Sequence, residues 1–377
     1  MATTIISKNS PQTPGRWPTS FPTDIATKSF WGANMTSTSG DLPMWRRPEL
    51  EGQSGDNLRF SLSMQIGGET VHGDDYSEGL EESLRYFDDI VYIDAEQKAV
   101  DVGGKMTQKR IDDNLRAKAR KLCSEYWMRW YDNTCFYHAS GARGIGSASK
   151  SSLTHRLSYT GGPNTLIAPD SDHMVYAGAA TSKATLAATD LITLPLVASL
   201  RAKAEVMGDG DHDIPAIRPI NFDGETDTFV FVMHPYQAKA MKTATGDGTW
   251  LDVQKAAAAS VGYKANPFRG ALGVYDGVIL QRHRRVVSFS DYGAGSNVKA
   301  ARALFLGAQA VLCAWGQPNS GGKTSFDWQE IQYDNNRKWK ISTDTIVGIK
   351  KSTYTDPSTN TKHDFGVFAV DAALPSS

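Results

Sequence analysis

Leu58, Phe60, Leu62, Met64 and Ile66 stand at every second position, the period of a strand buried on one face. A second alternating set, Ile90 and Tyr92 followed by Val100 and Val102, predicts further β structure, so residues 57–104 read as an extended β-loop. Between the two sets, and running into the second, lie Glu69, Asp74, Asp75, Glu78, Glu81, Glu82, Asp88 and Asp89, with Arg85 as the single Lys or Arg. Like charges at that density resist packing on one another, so the loop is either solvated or turned toward a basic partner.

The period then changes. Ile111, Leu115, Ala119, Leu122, Tyr126 and Trp130 recur every three or four residues, which predicts a helix over 107–139. Thr107 is the expected N-cap, Met106 can staple onto Ile111, and Gly141 is the expected stop. About thirty residues at 1.5 Å each make a rod of roughly 45–50 Å. Its polar side is basic, with Lys105, Lys109, Arg110, Arg116, Lys118, Arg120, Lys121 and Arg129. That side is either a solvated face or a surface for phosphate or for a neighbour's acidic loop.

Residues 141–188 are rich in Gly, Ser, Ala and Thr and read as loops and short strands. Leu191, Leu194, Val197, Leu200 and Ala204 form one stripe, predicting a helix over 189–207 that Gly208 ends and that Pro195 kinks or shortens. Residues 226–310 read as an α/β unit. Phe229–Met233 is an unbroken apolar run suited to a buried strand, Tyr236–Ala244 a short helix and Gly273–Leu280 another strand. Ala300–Ala314 has helical spacing through Leu304, Ala308, Val311 and Leu312. The tail returns to β at Thr345–Ile349, at Phe365 and Val367, and over Phe368–Val370. No internal repeat is visible.

Residues 1–56 differ from the rest. They hold six of the sixteen prolines, yet also Trp17, Phe21, Phe30, Trp31 and Trp45. Proline blocks helix and central strand, while a purely disordered tail is poor in aromatics. The segment therefore reads as an extended arm with apolar anchors, laid across a partner or packed on its own body.

Composition narrows the function. Of 377 residues, 40% are hydrophobic and 21% charged, enough to bury a core. The formal net charge of −1 lacks the basic excess of a protein devoted to gripping DNA, so any nucleic-acid contact must be local. Cys123, Cys135 and Cys313 form no CxxC pair, which argues against a disulfide framework or zinc and for reduced, packed thiols. The longest apolar stretch, Ala303–Trp315, is too short to span a bilayer, and no secretory leader is visible, so a soluble protein made in a cytoplasm is expected.

Two motifs touch on chemistry. Gly316–Thr324 (GQPNSGGKT) resembles a phosphate loop, but Gly322 stands where GxxxxGK[ST] needs lysine. Asp209, Asp211 and Asp213 alternate as Ca²⁺ ligands do, but Ile214 and Ile220 occupy the glycine and final acidic positions of an EF-hand loop. HExxH, GxSxG and GxGxxG in context are absent, and the adjacent Glu81 and Glu82 cannot be paired as acid and base. The expectation is no catalytic residue, no cofactor and no metal.

Six stretches carry a resemblance: Gly55–Leu62 (GDNLRFSL), Gly104–Arg110 (GKMTQKR), Asn266–Val278 (NPFRGALGVYDGV), Arg302–Ala310 (RALFLGAQA), Val347–Lys351 (VGIKK) and Asp364–Val367 (DFGV). As a set they resemble the major capsid proteins of tailed bacteriophages, in the podophage coat-protein family typified by phage N-four. The resemblance implies an α+β Hong Kong-type capsid fold. Its parts would be an N-terminal arm (1–56), an extended β-loop (57–104), a spine helix with peripheral domain (105–188), an axial domain (189–310) and C-terminal strands returning to the peripheral domain (311–377). It implies a structural protein, not an enzyme, that self-assembles into hexamers and pentamers of an icosahedral head in the virion. Partners would be portal, scaffolding or decoration proteins and packaged double-stranded DNA, held without sequence preference, and no membrane. On that frame Trp17, Trp31, Trp45, Asp74, Asp75 and Glu78 are candidates for inter-subunit contact, and Arg116, Lys118 and Lys121 for facing DNA. The rival readings are another virion component and a soluble enzyme with a dispersed site.

Overall fold

The structure, a computed structural model, describes residues 29–50, 54–64, 83–110, 114–141, 162–208, 214–222, 225–243, 272–316, 325–356 and 360–375, with 66, 70–73, 78, 79 and 81 in the loop between the second and third spans. The helix expected over 107–139 is there in two pieces, with Ile111 outside the described residues. α2 spans Lys105–Arg110 and α3 spans Leu115–Ser140. Asn114 rather than Thr107 caps α3, its side chain accepting the Ala117 amide. A short polar side chain that can take an N-terminal amide starts a helix in preference to continuing one. Gly141 ends α3 as expected, at φ 58°, with its amide on the His138 and Tyr137 carbonyls. The buried stripe runs through Ala119, Cys123, Trp127 and Trp130, whereas Leu122 is exposed, and from Trp130 to Ser140 every residue is buried.

Two sheets pack against α3, and a third lies beside the first. In the first, β15 (Lys338–Lys351) is the central strand. One edge pairs with β5 (Asp94–Gly104), the other with β14 (Phe326–Tyr333) and β13 (Val311–Gly316). β2 (Met44–Arg47) adds in parallel to β13, and β1 (Thr36–Ser37) to β2. Residues 29–50 of the expected arm therefore belong to the body: α1 (Phe30–Asn34), Trp31, Met35 and Met44 are part of the main core.

The second sheet runs β6 (Met174–Tyr176), β18 (Val367–Ala373), β12 (Val298–Leu306), β8 (Glu225–Met233), β10 (Val278–Arg282) and β9 (Gly273–Tyr275). β11 (Ser288–Tyr292) also pairs with β12, and β7 (Ile220–Phe222) with β8. Phe229, Phe231, Phe305 and Phe368 on one face pack with α4 (Leu194–Val206) and α5 (Pro235–Thr243), while Val230, Val232, Leu304 and Leu306 on the other join Trp127, Trp130 and Phe136 of α3. A strand covered on both faces reads as an unbroken apolar run, which is why Phe229–Met233 shows no alternation.

The same cause overturns the helix expected at Ala300–Ala314. That stretch forms β12 from Ala300 on and β13, in different sheets, every strand residue of it buried. Gly307 and Gln309 lie between them, the latter at φ 56°, and a Cβ on Gly307 would strike the Arg218 carbonyl. Gly273–Leu280 is likewise two strands, turned at Asp276 and Gly277, both at positive φ, as a tight Asp-Gly hairpin requires. Pro195 falls in the first turn of α4 and so starts that helix instead of kinking it.

The third sheet, β17 (Lys362–Asp364), β16 (Thr353–Thr355), β4 (Tyr86–Tyr92) and β3 (Asn57–Ser63), contains the stem of the extended loop. β3 and β4 pair antiparallel from Asn57↔Tyr92 to Ser63↔Tyr86. Phe60 and Leu62 point inward as expected. In β4, however, the buried positions are Phe87, Asp89 and Val91, not Ile90 and Tyr92. An acidic residue within the inward set concealed its phase.

Candidate inter-subunit surfaces

The stem of the extended loop is fixed to the body by charge and by close packing. Asp89 is buried, forms an ion pair with Lys350, and accepts the Thr353 amide. Burial raises its pKa, and Lys350 partly offsets that. Asn164 brackets the Tyr92 peptide, donating to its carbonyl at 2.7 Å and accepting its amide at 2.9 Å. Phe60, Leu62, Phe87 and Val91 pack with Leu312, Tyr354 and Phe365.

Beyond the stem Met64 and Arg85 turn back onto the body, Arg85 3.7 Å from the buried Asp356, and other described side chains turn outward. Glu78 and Glu81 are exposed, and so are Ile66, Val71 and Leu84. Asp74 and Asp75 lie outside the described residues. Acidic and apolar side chains are thus exposed together on one loop, carried on a firmly seated stem. The charges of this loop are legible in the sequence and its apolar part is not. Ile66 continues the alternation of the buried set, yet β3 ends at Ser63.

The three tryptophan candidates separate. Trp17 lies outside the described residues. Trp31 is fully buried in its own chain, edge-on to Phe136 at 5.3 Å, and has no surface left for a neighbour. The cause is Asp132 of α3, whose carboxylate takes the Ser29 hydroxyl at 2.6 Å and the Phe30 and Trp31 amides at 3.0 and 3.4 Å, holding the N-terminus of α1 against the long helix. Trp45 is half-buried. It packs edge-on to Phe60 at 5.2 Å, lies beneath the Arg47 guanidinium and donates to the Thr38 carbonyl, joining the first sheet to the loop stem.

The basic face of the long helix is also divided. Arg116 turns inward, 3.2 Å from Glu330 and 4.5 Å above the Trp339 ring, and Arg120 shares Glu330 at 3.9 Å. Lys118 and Lys121 are exposed and remain the candidates for contact with an external anion.

The remaining buried charges tie elements together. Lys351 meets Asp364 at 2.6 Å, and the Asp364 amide reaches Asp170, itself 2.7 Å from His173. Burial moves Lys351 down and Asp364 up, each opposed by the other. The three cysteines are buried and form no disulfide. Among the described residues no three His, Cys, Asp or Glu side chains are placed to hold a metal ion, and no helix is long and apolar enough to cross a membrane. The Asp209–Asp213 motif and the Gln317–Thr324 part of the glycine-rich loop lie outside the described residues.

Comparison with known proteins agrees with this architecture. The model of the phage capsid protein family matches residues 8–376. The major capsid protein of Pseudomonas phage KPP25 is 28% identical over 379 residues, covering 91% of this chain and 89% of that protein. Among solved structures, the capsid of Ralstonia phage GP4 superposes with a TM-score of 0.80 at 36% identity, over 100% of this chain and 99% of that one. The capsid of cyanophage Pam1 shares the fold, with a TM-score of 0.70 at 20% identity over 93% and 94% of the two chains.

Proposed function

Because this chain belongs to the phage capsid protein family, we propose that it is the major capsid protein of a phage and that its copies close into hexamers and pentamers of an icosahedral head. The observation that carries the reading is the extended loop: a stem locked by Asp89, Lys350 and Asn164, with Glu78, Glu81, Ile66 and Leu84 exposed beyond it. A rigid projection with an uncovered apolar and acidic surface suits a heterologous contact, in which one patch meets a different patch on the next copy and the ring closes by rotation. Obligate contacts of this type bury about 2,000 Å² or more, and many per subunit make loss of one embedded copy rare. In this reading α3 and the first sheet form a peripheral unit, the second sheet with α4 and α5 an axial unit, and residues 1–28 the arm. The role is structural and its place is the virion, after synthesis in the host cytoplasm. Portal, scaffolding or decoration proteins and packaged DNA complete the set of partners.

The test is electron microscopy with sedimentation of the chain expressed alone and with its neighbouring genes. Closed shells or curved sheets of capsomers are expected, and small discrete oligomers in both preparations would refute the reading. Reversing Asp74, Asp75 and Glu78 to lysine is expected to abolish shells while the subunit keeps its wild-type unfolding midpoint. Intact shells from that triple variant would rule out an acidic contact between copies.

The second surface faces inward in this reading. Lys118 and Lys121 would meet packaged DNA through phosphate alone, without sequence preference. Changing both to glutamine is expected to leave empty shells unaltered and to lower DNA retention, with a salt dependence reduced by about two phosphate contacts. Unchanged retention and salt slope would remove these lysines from the interior surface.

A further inference from the structure

Arg47, Arg116, Arg201 and Arg302 each have a carboxylate within 3.2 Å: Glu49, Glu330, Glu205 and Asp371. Arg129 and Arg284 differ. Among the described residues neither forms an ion pair, and both stand beside a third arginine, Arg285. The turn between β10 and β11 closes with the Val286 amide on the His283 carbonyl at 3.4 Å, which puts Arg284 and Arg285 at its tip. Arg285 is half-buried and fixed. Its Nη1 atom donates to the Arg129 carbonyl at 2.7 Å and to the Asn133 side-chain oxygen at 2.8 Å, so the turn is seated on α3 at Arg129. Burial lowers the Arg285 pKa, Asp132 opposes that, and the charges of Arg284 and Arg129 lower it further. Asp132 itself is engaged by Ser29 and the two α1 amides. Three guanidiniums therefore gather, against their mutual repulsion, around one carboxylate that is already occupied.

This cluster continues the basic face of the long helix. Lys118 and Arg129 are eleven positions apart, three helical turns, so they stand almost in line and about 16 Å from each other along α3. Lys121 flanks that line. Lys118 and Lys121 are exposed, and Arg129 is half-buried. Glu125 is the one exposed carboxylate on the line, and Leu122 its one exposed large apolar side chain. The next positions in line, Asp132, Asn133 and Phe136, are buried. There the turn takes over the surface and carries the positive charge on through Arg285 to Arg284. Arg282 is also exposed, but on the other face of β10. It pairs with Met233, which with Val278 and Leu280 packs beneath α4 and α5, whereas Ile279 belongs to the core of α3.

We propose that Arg129, Arg284 and Arg285 form a phosphate clamp at the end of the Lys118–Lys121 stripe, and that clamp and stripe together are a track for a nucleic-acid backbone. The inference deepens the reading of α3 as a surface for packaged DNA, on which it rests. A guanidinium presents several donors in a plane and matches phosphate oxygens two at a time, so a phosphate set among these arginines relieves the repulsion that the isolated chain carries. Each strand of a duplex places one phosphate per 3.4 Å of axis, so a track about 16 Å long meets about five of them. A polar, strongly positive surface is the usual form of a contact with DNA. An acidic protein partner fits less well. The acidic loop of a second copy exposes Ile66, Val71 and Leu84 beside its carboxylates, and the track offers them Leu122 alone.

The experiment is fluorescence anisotropy of two labelled duplexes of unrelated sequence, titrated with the purified full-length chain across a salt series. Wild type is expected to bind both alike, and more weakly as salt rises. Arg284→Gln, at an exposed position, is expected to reduce the slope of log affinity against log salt by about 0.9, so that the affinity lost between 50 and 200 mM salt is about 3.5-fold smaller. Adding Arg129→Gln is expected to reduce it by about 0.9 again. Arg282→Gln removes the same charge from the other face of β10 and is expected to keep the wild-type slope. Equal slopes in wild type and Arg284→Gln would overturn the clamp, and so would equal reductions in Arg284→Gln and Arg282→Gln, which leave only net charge. Displacement of the duplex by poly-glutamate as readily as by unlabelled DNA would assign the arginines to an acidic protein surface and overturn it as well. Electron microscopy of Arg284→Gln separates the clamp from assembly, with shells expected in wild-type yield. Loss of shells at a wild-type salt slope would move the arginines to a contact between copies, overturning the clamp while the capsid reading stands. A reduced slope in a chain that forms no shells even as wild type would uphold the clamp and refute the capsid reading.

Discussion

Replacing Asp371 by alanine is expected to cost the fold about 3–5 kcal/mol, the usual result of removing one partner from a buried ion pair. Arg302 and Asp371 face each other across β12 and β18, 8% and 0% exposed. The guanidinium makes two contacts with the carboxylate, at 2.7 and 2.8 Å. Its NH1 donates to the Ser140 carbonyl at the end of α3, and the Tyr292 hydroxyl of β11 donates to the same carboxylate at 2.6 Å. Burial works against the charged guanidinium, and the Asp371 contacts more than offset it, leaving the Arg302 pKa raised. Without Asp371, a buried cation and a buried phenol both lose their main partner, against a net stability of only about 5–15 kcal/mol for a typical domain. Urea unfolding reads the loss. Replacing both partners, as Arg302→Met with Asp371→Leu, is expected to cost far less, because no charge is left unpaired. If Asp371→Ala unfolded at the wild-type urea midpoint, the network would have no structural role. If the double variant were as damaged as the single one, packing rather than charge would be the cause.

This cluster marks the limit of what the chain discloses before it folds. Gly141 was legible because a helix stop needs a residue tolerant of φ 58°. β3 and the Phe229–Met233 strand were legible because local patterns encode them. The pairing of Arg302 with Asp371 carries no local signal, since the two are 69 positions apart. The same holds for Asp132, which decides that Trp31 belongs to the core and not to a neighbour. Asp89 shows the reverse failure: as a carboxylate it read as surface, and only Lys350 and the Thr353 amide make its burial tolerable. β12 and β13 carry helical spacing in the sequence because burial on both faces erases the period that separates strand from helix. The acidic loop was visible as charge. Its apolar companions became visible only once β3 was seen to stop at Ser63 and leave Ile66 outside.

Gly348→Ala is expected to unseat the extended loop while leaving the rest of the subunit folded. Gly348 lies in β15 opposite Ala314, directly beneath the end of β4. A Cβ there would overlap the Tyr92 carbonyl oxygen, with the Val91 Cγ1 atom 3.1 Å away. The obstruction is backbone, so no rotamer change relieves it. The Tyr92 carbonyl cannot retreat freely either, because Asn164 holds both its oxygen and the Tyr92 amide. The cost should therefore lie near the upper end of the ~1–3 kcal/mol typical of overpacking, with a further ~1 kcal/mol if an Asn164 hydrogen bond is broken. The damage should be local: β8, β12 and β18 make no pairing with Gly348. Amide exchange is expected to quicken in residues 57–63 and 86–92 and to stay near wild type in 229–233 and 367–373. Shell yield should fall with it, because a contact surface is useful to a neighbour only when its stem holds it in place. Wild-type protection of the stem would show that β4 does not rest on Gly348 as described. Loosened protection with a full yield of shells would separate the seating of this loop from assembly, and the search for the main contact between copies would move to the exposed lysines of the long helix and to residues 1–28.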